Sequence, residues 1–171
     1  MTPESGGVPE TAPGRRHVAV LFVCMGNICR SPTAEAMLRQ LAPQLAPEID
    51  FEVDSAGTHG YHIDAPPDAR SQLAARRYGI DMADLRSRRL LAEDFARFDW
   101  IVCMDEDNRQ DALAVRRAPG RAQLVRLLDF APHVALRDVP DPYYGEADEF
   151  ARIARLIDTG IRAFIGRLRQ G

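Results

Sequence analysis

The chain contains no lysine, so all 22 of its positively charged side chains belong to arginine. A nucleotide-binding phosphate loop needs a Gly-Lys-Ser/Thr ending, and the absence of lysine excludes that class of site. The chain also has no excess of positive charge, since its formal net charge is -3 at pH 7. Proteins that bind nucleic acids or anionic membrane surfaces usually carry a basic surplus or stripe. We therefore expect neither nucleic acid nor membrane among the partners.

Long apolar runs and a disulfide framework are also lacking. No segment approaches the roughly 20 apolar residues that cross a bilayer, and the first sixteen residues lack the apolar centre of a signal peptide. The 3 cysteines, an odd number, fit reduced thiols better than paired disulfides. These absences predict a cytoplasmic protein.

The composition that remains is that of an ordinary globular protein. The chain has 171 residues, of which 46% are hydrophobic and 27% charged, and this length suits one domain with a single core. Residues 1–16 are rich in proline and glycine and carry no strand or helix pattern. We predict a disordered N-terminal tail over residues 1–16 and a single domain over residues 17–171.

Strand and helix patterns alternate along that domain. Residues 18–23 form a continuous apolar run, which is typical of a strand covered on both faces in a parallel sheet. A helix is predicted to follow, with Ser31 as its N-cap and Pro32 at its first position. The other predicted elements are strands at 49–53, 100–104 and 122–128, and helices at 67–78, 93–98, 106–117 and 150–168. We therefore predict an α/β fold with four parallel strands in the order 2-1-3-4 and helices on both faces.

The loop after the first strand, residues 24–30 (the Cys24 loop), begins with a cysteine and ends with an arginine. Because a helix starts beside it, its unpaired backbone N–H groups point at one spot that suits a phosphate-sized dianion. The helix N-terminus and a nearby guanidinium favour the thiolate form of Cys24, which is a strong nucleophile. The planar fork of Arg30 can hold two phosphoryl oxygens at once. The sequence therefore predicts an anion site that contains its own nucleophile.

Two other interpretations of the cysteines carry less weight. A buried structural role suits Cys103, inside an apolar strand, better than Cys24, which ends its strand and precedes Gly26 and Asn27, both tolerant of positive φ. A zinc site built from the three cysteines and a histidine is disfavoured, because Cys24 and Cys29 are loosely spaced and no second ligand pair follows. We expect no metal and no other cofactor.

Two further motifs accompany the Cys24 loop. Residues 23–32 read Val-Cys-Met-Gly-Asn-Ile-Cys-Arg-Ser-Pro, residues 54–58 read Asp-Ser-Ala-Gly-Thr, and residues 141–145 read Asp-Pro-Tyr-Tyr-Gly. In this order and at these separations, the three segments resemble the low-molecular-weight protein tyrosine phosphatase family, from His17 to near the end of the chain. The resemblance implies an enzyme that hydrolyses phosphotyrosine in proteins or peptides and releases inorganic phosphate. We expect it to act as a monomer.

The resemblance assigns the chemistry to three residues. Cys24 would attack phosphorus and form a phosphocysteine, while Arg30 would clamp the equatorial oxygens. Asp141 would give a proton to the departing tyrosine oxygen and later take one from water. Asp138 is chemically equivalent, but only Asp141 matches the family's Asp-Pro-Tyr-Tyr motif.

The resemblance also implies supporting and substrate-binding residues. Those expected to hold the phosphoryl group or shape the loop are Met25, Gly26, Asn27, Ile28, Cys29, Ser31 and Ser55. The Ser31 hydroxyl would hydrogen-bond the thiolate, a role compatible with helix capping, and Asn27 would be left-handed with Ser55 as its partner. Tyr61, Tyr143 and Tyr144 would wall a cleft deep enough for phosphotyrosine.

Several alternatives stay open. Protein-arginine phosphatases related to this family typically carry threonine at the position of Ile28, so isoleucine favours tyrosine. A catalytically silent module that binds phosphotyrosine or phosphate is the non-enzyme alternative. The resemblance further implies a reversible disulfide between Cys24 and Cys29. The chain departs from the family's pattern at Tyr78 and Leu85, where histidines are common, so hydrogen bonding near the loop must be arranged differently.

Overall fold

The computed structural model describes residues 14–171, and most of the predicted tail, residues 1–13, lies outside the described residues. The strands of the described part are β1 (Arg16–Cys24), β2 (Ile49–Gly57), β3 (Trp100–Cys103) and β4 (Gln123–Arg126). They form one sheet in the order β2-β1-β3-β4, in which every neighbouring pair is parallel. The predicted α/β class, sheet order and single domain are confirmed.

Strand β1 lies at the centre of the sheet because its apolar residues are buried on both faces. It pairs with β2 up to the pair Cys24 and Gly57, and with β3 on its other side. In open parallel sheets, ligands bind in the crevice at the carboxyl ends of the strands, where the strand order reverses. Cys24, the last residue of β1, stands at that edge.

Helices cover both faces of the sheet, as predicted. Within the described residues they are α1 (Arg30–Leu45), α2 (Ala69–Arg76), α3 (Asp94–Arg97), α4 (Glu106–Val115) and α5 (Ala147–Gln170). Phe22 of β1 faces α5 and packs edge-to-face on Phe164, with ring centroids 6.4 Å apart. Its neighbour Leu21 points to the other face and shares a buried cluster with Phe95 of α3 and Ala112 of α4. No helix in residues 14–171 is long and apolar enough to cross a membrane.

Several predicted boundaries are wrong, since the helices predicted at 67–78, 106–117 and 150–168 span 69–76, 106–115 and 147–170. Three further differences affect the sheet and the Cys24 loop. Helix α1 begins at Arg30 with Cys29 in the N-cap position, so Ser31 does not cap it. Strand β2 continues through residues 54–57, because these stay in register with the end of β1. Strand β4 ends at Arg126, where a 3₁₀ turn over Leu127–Phe130 replaces the predicted last residues of the strand.

Candidate active site

The Cys24 loop fills the gap between the end of β1 and the start of α1, and its conformation depends on two positions. Asn27 has a φ of 57°, a left-handed conformation that asparagine adopts more readily than most residues. Gly57 of β2 lies so close beneath the loop that an added Cβ would stand 2.7 Å from the carbonyl oxygen of Met25. The loop is therefore pressed onto the end of β2, where a side chain at position 57 would displace it.

Two hydrogen-bonding groups contact the sulfur of Cys24. The backbone N–H of Asn27 donates to Sγ at 3.3 Å, and the hydroxyl of Ser31 lies 3.0 Å from it. Ser31 is fully buried in the first turn of α1, beneath the loop. Both groups are placed so that they can donate a hydrogen bond to the sulfur at this position.

A buried network holds Asn27 in place. Its side-chain Nδ2 donates to Oγ of Ser31 at 2.8 Å and to Oγ of Ser55 at 2.9 Å, while its Oδ1 accepts from the backbone N–H of Arg88 at 3.0 Å. Every polar atom of this amide is therefore partnered. The network joins the loop to α1, to β2 and to the segment before α3. Its contact with Arg88 lies three residues after Leu85, one of the positions at which the chain departs from the family pattern.

The guanidinium of Arg30 is 2% exposed and lies among acidic groups. It donates to Oδ2 of Asp105 at 2.5 Å and to the carbonyl oxygen of Val139 at 3.0 Å, and it lies 3.5 Å from Oδ2 of Asp141. Burial acts to lower the pKa of Arg30, but the negative charges of Cys24, Asp105 and Asp141 outweigh it, and the pKa is raised. The side chain is thus a fixed, permanently charged fork beside Cys24.

Asp141 lies on the segment of residues 139–146, hereafter the Asp141 loop. One of its carboxylate oxygens accepts from the backbone N–H of Tyr143 at 3.1 Å, and the other faces Arg30. The rival carboxylate points elsewhere, because Asp138 accepts from the backbone N–H of Glu106 at 3.0 Å. Asp138 does not line the cleft that contains Cys24.

These groups line one cleft of ≈ 340 Å³. Its walls bring together residues from the Cys24 loop, the segment after β2 and the Asp141 loop: Cys24, Met25, Gly26, Ile28, Cys29, Arg30, Tyr61, His62, Asp141, Tyr143 and Tyr144. Of the predicted site residues, three do not line the cleft: Asn27, whose side chain is buried within the loop, and Ser31 and Ser55, which lie beneath it. The three tyrosines are exposed parts of this lining, from 37% for Tyr143 to 97% for Tyr144, and we call them the mouth of the cleft.

The other two cysteines are poor nucleophiles. All three thiols are free, and burial raises the pKa of Cys29 to about 12. Burial raises the pKa of Cys103 as well. The zinc alternative has no support in residues 14–171, where no three His, Cys, Asp or Glu side chains cluster closely enough to hold a metal ion.

Three side chains of the site are absent from the sequence-based prediction. Asp105 comes two residues after the end of β3, the neighbour of β1, and the strand-end rule that located Cys24 could have found it. Glu35 interrupts the apolar stripe of α1, which is a readable signal for a partnered buried charge. His62 gives no such signal; its ring lies 3.1 Å from where a Cβ on Gly26 would stand.

Comparison with known proteins gives concordant results. The model of the family "Low molecular weight phosphotyrosine protein phosphatase" matches residues 19–171. The low molecular weight protein-tyrosine-phosphatase YfkJ of Bacillus subtilis is 38% identical over 90% of this chain and 97% of its own. A protein tyrosine phosphatase structure from Entamoeba histolytica superposes with a TM-score of 0.83 at 34% identity, covering 90% and 98% of the two chains. A Drosophila arginine phosphatase gives 0.79 at 30% identity, covering 88% and 97%.

Proposed function

The chain belongs to the low molecular weight phosphotyrosine protein phosphatase family, a family of enzymes, and we propose that it hydrolyses phosphotyrosine in proteins or peptides through a phosphocysteine intermediate. The observation that carries the proposal is the meeting of Cys24, Arg30 and Asp141 in one cleft. Family membership supplies the reaction class, and the contacts of these three side chains suggest how each step is catalysed. Inorganic phosphate and the free tyrosine hydroxyl are the products.

The first step forms a bond between Cys24 sulfur and phosphorus while the bond from phosphorus to the tyrosine oxygen breaks. Ser31 and the Asn27 N–H stabilise the attacking thiolate. Negative charge on the equatorial oxygens of the phosphoryl group would be met by the Arg30 fork and the loop N–H groups. Such donors lower the barrier because they are already in place when the charge develops.

The tyrosine oxygen leaves poorly as an anion, since its conjugate acid has a pKa near ~10. Asp141 supports this step by its place on the cleft wall, at 3.5 Å from Arg30 and with its carboxyl group held by the Tyr143 N–H. We propose that it donates a proton to this oxygen and then accepts one from the water that attacks the phosphocysteine. The second step releases phosphate and restores the thiolate.

The substrate assignment rests on the mouth of the cleft and on Ile28. Tyrosines 61, 143 and 144 offer aromatic walls to an aryl phosphate, and Ile28 lines the cleft where an apolar side chain suits a ring. Phosphoarginine is the second candidate substrate, favoured by the similarity to the Drosophila arginine phosphatase.

The proposal is tested by measuring phosphate release from a phosphotyrosine peptide and from the same peptide carrying phosphoarginine. We expect faster release from phosphotyrosine, a covalent phosphate on Cys24 after rapid quenching in alkali, and loss of both in Cys24→Ser. The matched control is Cys103→Ser, which changes a buried thiol outside the cleft and should keep full activity.

Three results would contradict the proposal. Unchanged turnover in Cys24→Ser would exclude the covalent mechanism. Faster release from phosphoarginine would change the substrate. Binding of phosphopeptide without any phosphate release would favour the silent binding module.

A further inference from the structure

Glu35 is a buried charge without a role in the mechanism above. It lies on the inner face of α1, where its side chain is 4% exposed, next to the apolar residues Ala34 and Leu38. Its two carboxylate oxygens have different partners: Oε1 accepts from the hydroxyl of Ser55 at 2.6 Å, and Oε2 pairs with Arg39 one turn later. A buried carboxylate is costly unless it is partnered, so its position calls for an explanation.

The partners of Glu35 lead to the nucleophile. Ser55 also accepts from Nδ2 of Asn27, and the same Nδ2 donates to Ser31, whose hydroxyl lies 3.0 Å from the sulfur of Cys24. The carboxylate therefore ends a continuous chain of hydrogen bonds that starts at the thiolate. All five residues of this chain are buried, whereas the guanidinium of Arg39, which pairs with its end, is 48% exposed.

The direction of each bond in this chain follows from the chemistry of its ends. An ionised carboxylate only accepts, so the Ser55 proton points to Glu35 and the Ser55 lone pairs face Asn27. The amide of Asn27 must then turn Nδ2 toward both serines, which leaves Oδ1 for the N–H of Arg88. With Asn27 donating to it, Ser31 has its own proton free, and the Cys24 sulfur at 3.0 Å is nearer than the other acceptor, the carbonyl oxygen of Ala56 at 3.5 Å.

A second arrangement is possible when Ser55 has no acceptor. The Ser55 proton can then turn toward Asn27, and a flipped amide would offer Oδ1 to both serine hydroxyls. Ser31 would give its proton to the amide instead of the sulfur. The backbone N–H of Arg88 opposes this flip, and the carboxylate of Glu35 opposes it from the other side.

We propose that Glu35 is a positioning residue that sets the direction of the hydrogen-bond chain through Ser55 and Asn27, so that Ser31 donates its proton to the Cys24 thiolate. The inference rests on the proposed function in one respect, that Cys24 is the nucleophile. Burial raises the pKa of Glu35, while the Ser55 hydroxyl and Arg39 act in the opposite direction and nearby Asp54 adds to the rise. The ionised form of Glu35 is therefore stabilised by the same Ser55 hydroxyl whose proton it orients.

The test is the pH profile of Cys24 alkylation by iodoacetate in the full chain, followed by mass spectrometry of the modified peptide. Only the thiolate reacts, and Cys29 and Cys103 stay protonated in the range used because burial raises the pKa of both. In Glu35→Leu, which removes the acceptor, we expect the midpoint of the profile to move up by about one pH unit. Glu35→Gln can still accept from Ser55 through its amide oxygen and should stay near the wild-type midpoint.

A double-variant comparison separates this role from a general loss of stability. In a Ser31→Ala background the chain no longer reaches the sulfur, so Glu35→Leu should not move the midpoint further. Equal midpoints in wild type and Glu35→Leu would overturn the proposal, as would the same shift with and without Ser31. If Glu35→Leu does not fold by circular dichroism, Ser55→Ala breaks the same link, and its midpoint decides instead.

Failure of the proposed function has a different signature. It would show as a wild-type chain that forms no phosphocysteine and keeps full turnover in Cys24→Ser, whatever the alkylation profiles are. Failure of the Glu35 inference leaves the phosphocysteine and the loss of activity in Cys24→Ser intact and removes only the difference between Glu35→Leu and Glu35→Gln.

Discussion

The two loops that meet in the cleft are built in opposite ways. In the Cys24 loop and the first turn of α1, Asn27, Arg30 and Ser31 are almost completely buried, and their side chains are tied to α1, to β2 and to Asp105 at the N-cap of α4. In the Asp141 loop, Asp141 is 39% exposed and Tyr144 is 97% exposed. One loop has its polar side chains locked, and the other presents them to solvent.

The difference matches what each loop has to do in the proposed reaction. Charge that develops on a phosphoryl group is stabilised by donors that do not need to reorganise, so the Cys24 loop gains from rigidity. A general acid must reach a leaving oxygen and afterwards a water molecule, so Asp141 gains from access. We infer that substitutions in the first loop act on every substrate, whereas those in the second depend on the leaving group.

The first prediction, with the largest expected effect, concerns Arg30→Lys. Lysine keeps the charge but loses the planar fork, so it cannot hold two phosphoryl oxygens and also reach Asp105. We expect kcat/KM to fall about a thousandfold, equally for phosphotyrosine and for an aryl phosphate with a good leaving group. Arg152→Lys, at an exposed position on α5, is the matched control. A larger loss for phosphotyrosine than for the aryl phosphate would show that the effect of Arg30 depends on the leaving group, as we expect for the Asp141 loop.

The second prediction is that Asp141→Asn removes the proton donor while keeping the size of the side chain and the contact with the Tyr143 N–H. We expect kcat/KM for phosphotyrosine to fall about a hundredfold, with little change for 2,4-dinitrophenyl phosphate, whose leaving group needs no proton. Asp138→Asn serves as the control, because its carboxylate faces Glu106. Equal losses on both substrates would refute the acid role.

How far these loops could be predicted from sequence also differs. The sheet and the Cys24 loop were predictable because β1 is a continuous apolar run and the loop residues are adjacent in the chain. The chain order of the motifs did not show that Arg30 contacts Asp105 or that Glu35 is buried against Ser55, since both contacts depend on how α1 packs on the sheet. The prediction of Ser31 as the N-cap is wrong for the same reason, because the Ser31 hydroxyl is directed to Cys24 instead.

The Asp141 loop is exposed but still anchored, and Arg70 at the start of α2 is one of its anchors. The guanidinium of Arg70 donates to the carbonyl oxygen of Gly145 at 3.0 Å, stacks over the ring of Phe150 at 4.4 Å and is held by Asp68. The backbone N–H of Asp68 in turn donates to the carbonyl oxygen of Ile28 at 2.8 Å. This path joins the Asp141 loop to the Cys24 loop.

The third prediction uses Arg70→Met, which keeps the apolar length of the side chain and removes its hydrogen bonds. We expect kcat/KM for phosphotyrosine to fall about tenfold, since loss of one hydrogen bond to a charged group is worth about 1.5 kcal/mol, and 2,4-dinitrophenyl phosphate to be hardly affected. In the Asp141→Asn background the substitution should add almost nothing. Arg76→Met, exposed on the same helix, is the control. Fully additive losses would mean that Arg70 acts independently of Asp141.

The smallest effect is expected at Tyr144, the most exposed residue of the mouth. Its ring meets Tyr143 edge-on, with centroids 5.0 Å apart, whereas the hydrogen bonds of the Arg30 fork go to Asp105 and Val139. Tyr144→Ala should therefore raise KM for a phosphotyrosine peptide by about threefold, the size of one partly exposed aromatic contact, and leave kcat unchanged. Tyr61→Ala, at the other exposed wall, gives a parallel measurement. A fall in kcat in Tyr144→Ala would instead mean that this ring helps to fix the position of Asp141. The Asp141 loop would then be less free to move than the exposure of its side chains indicates.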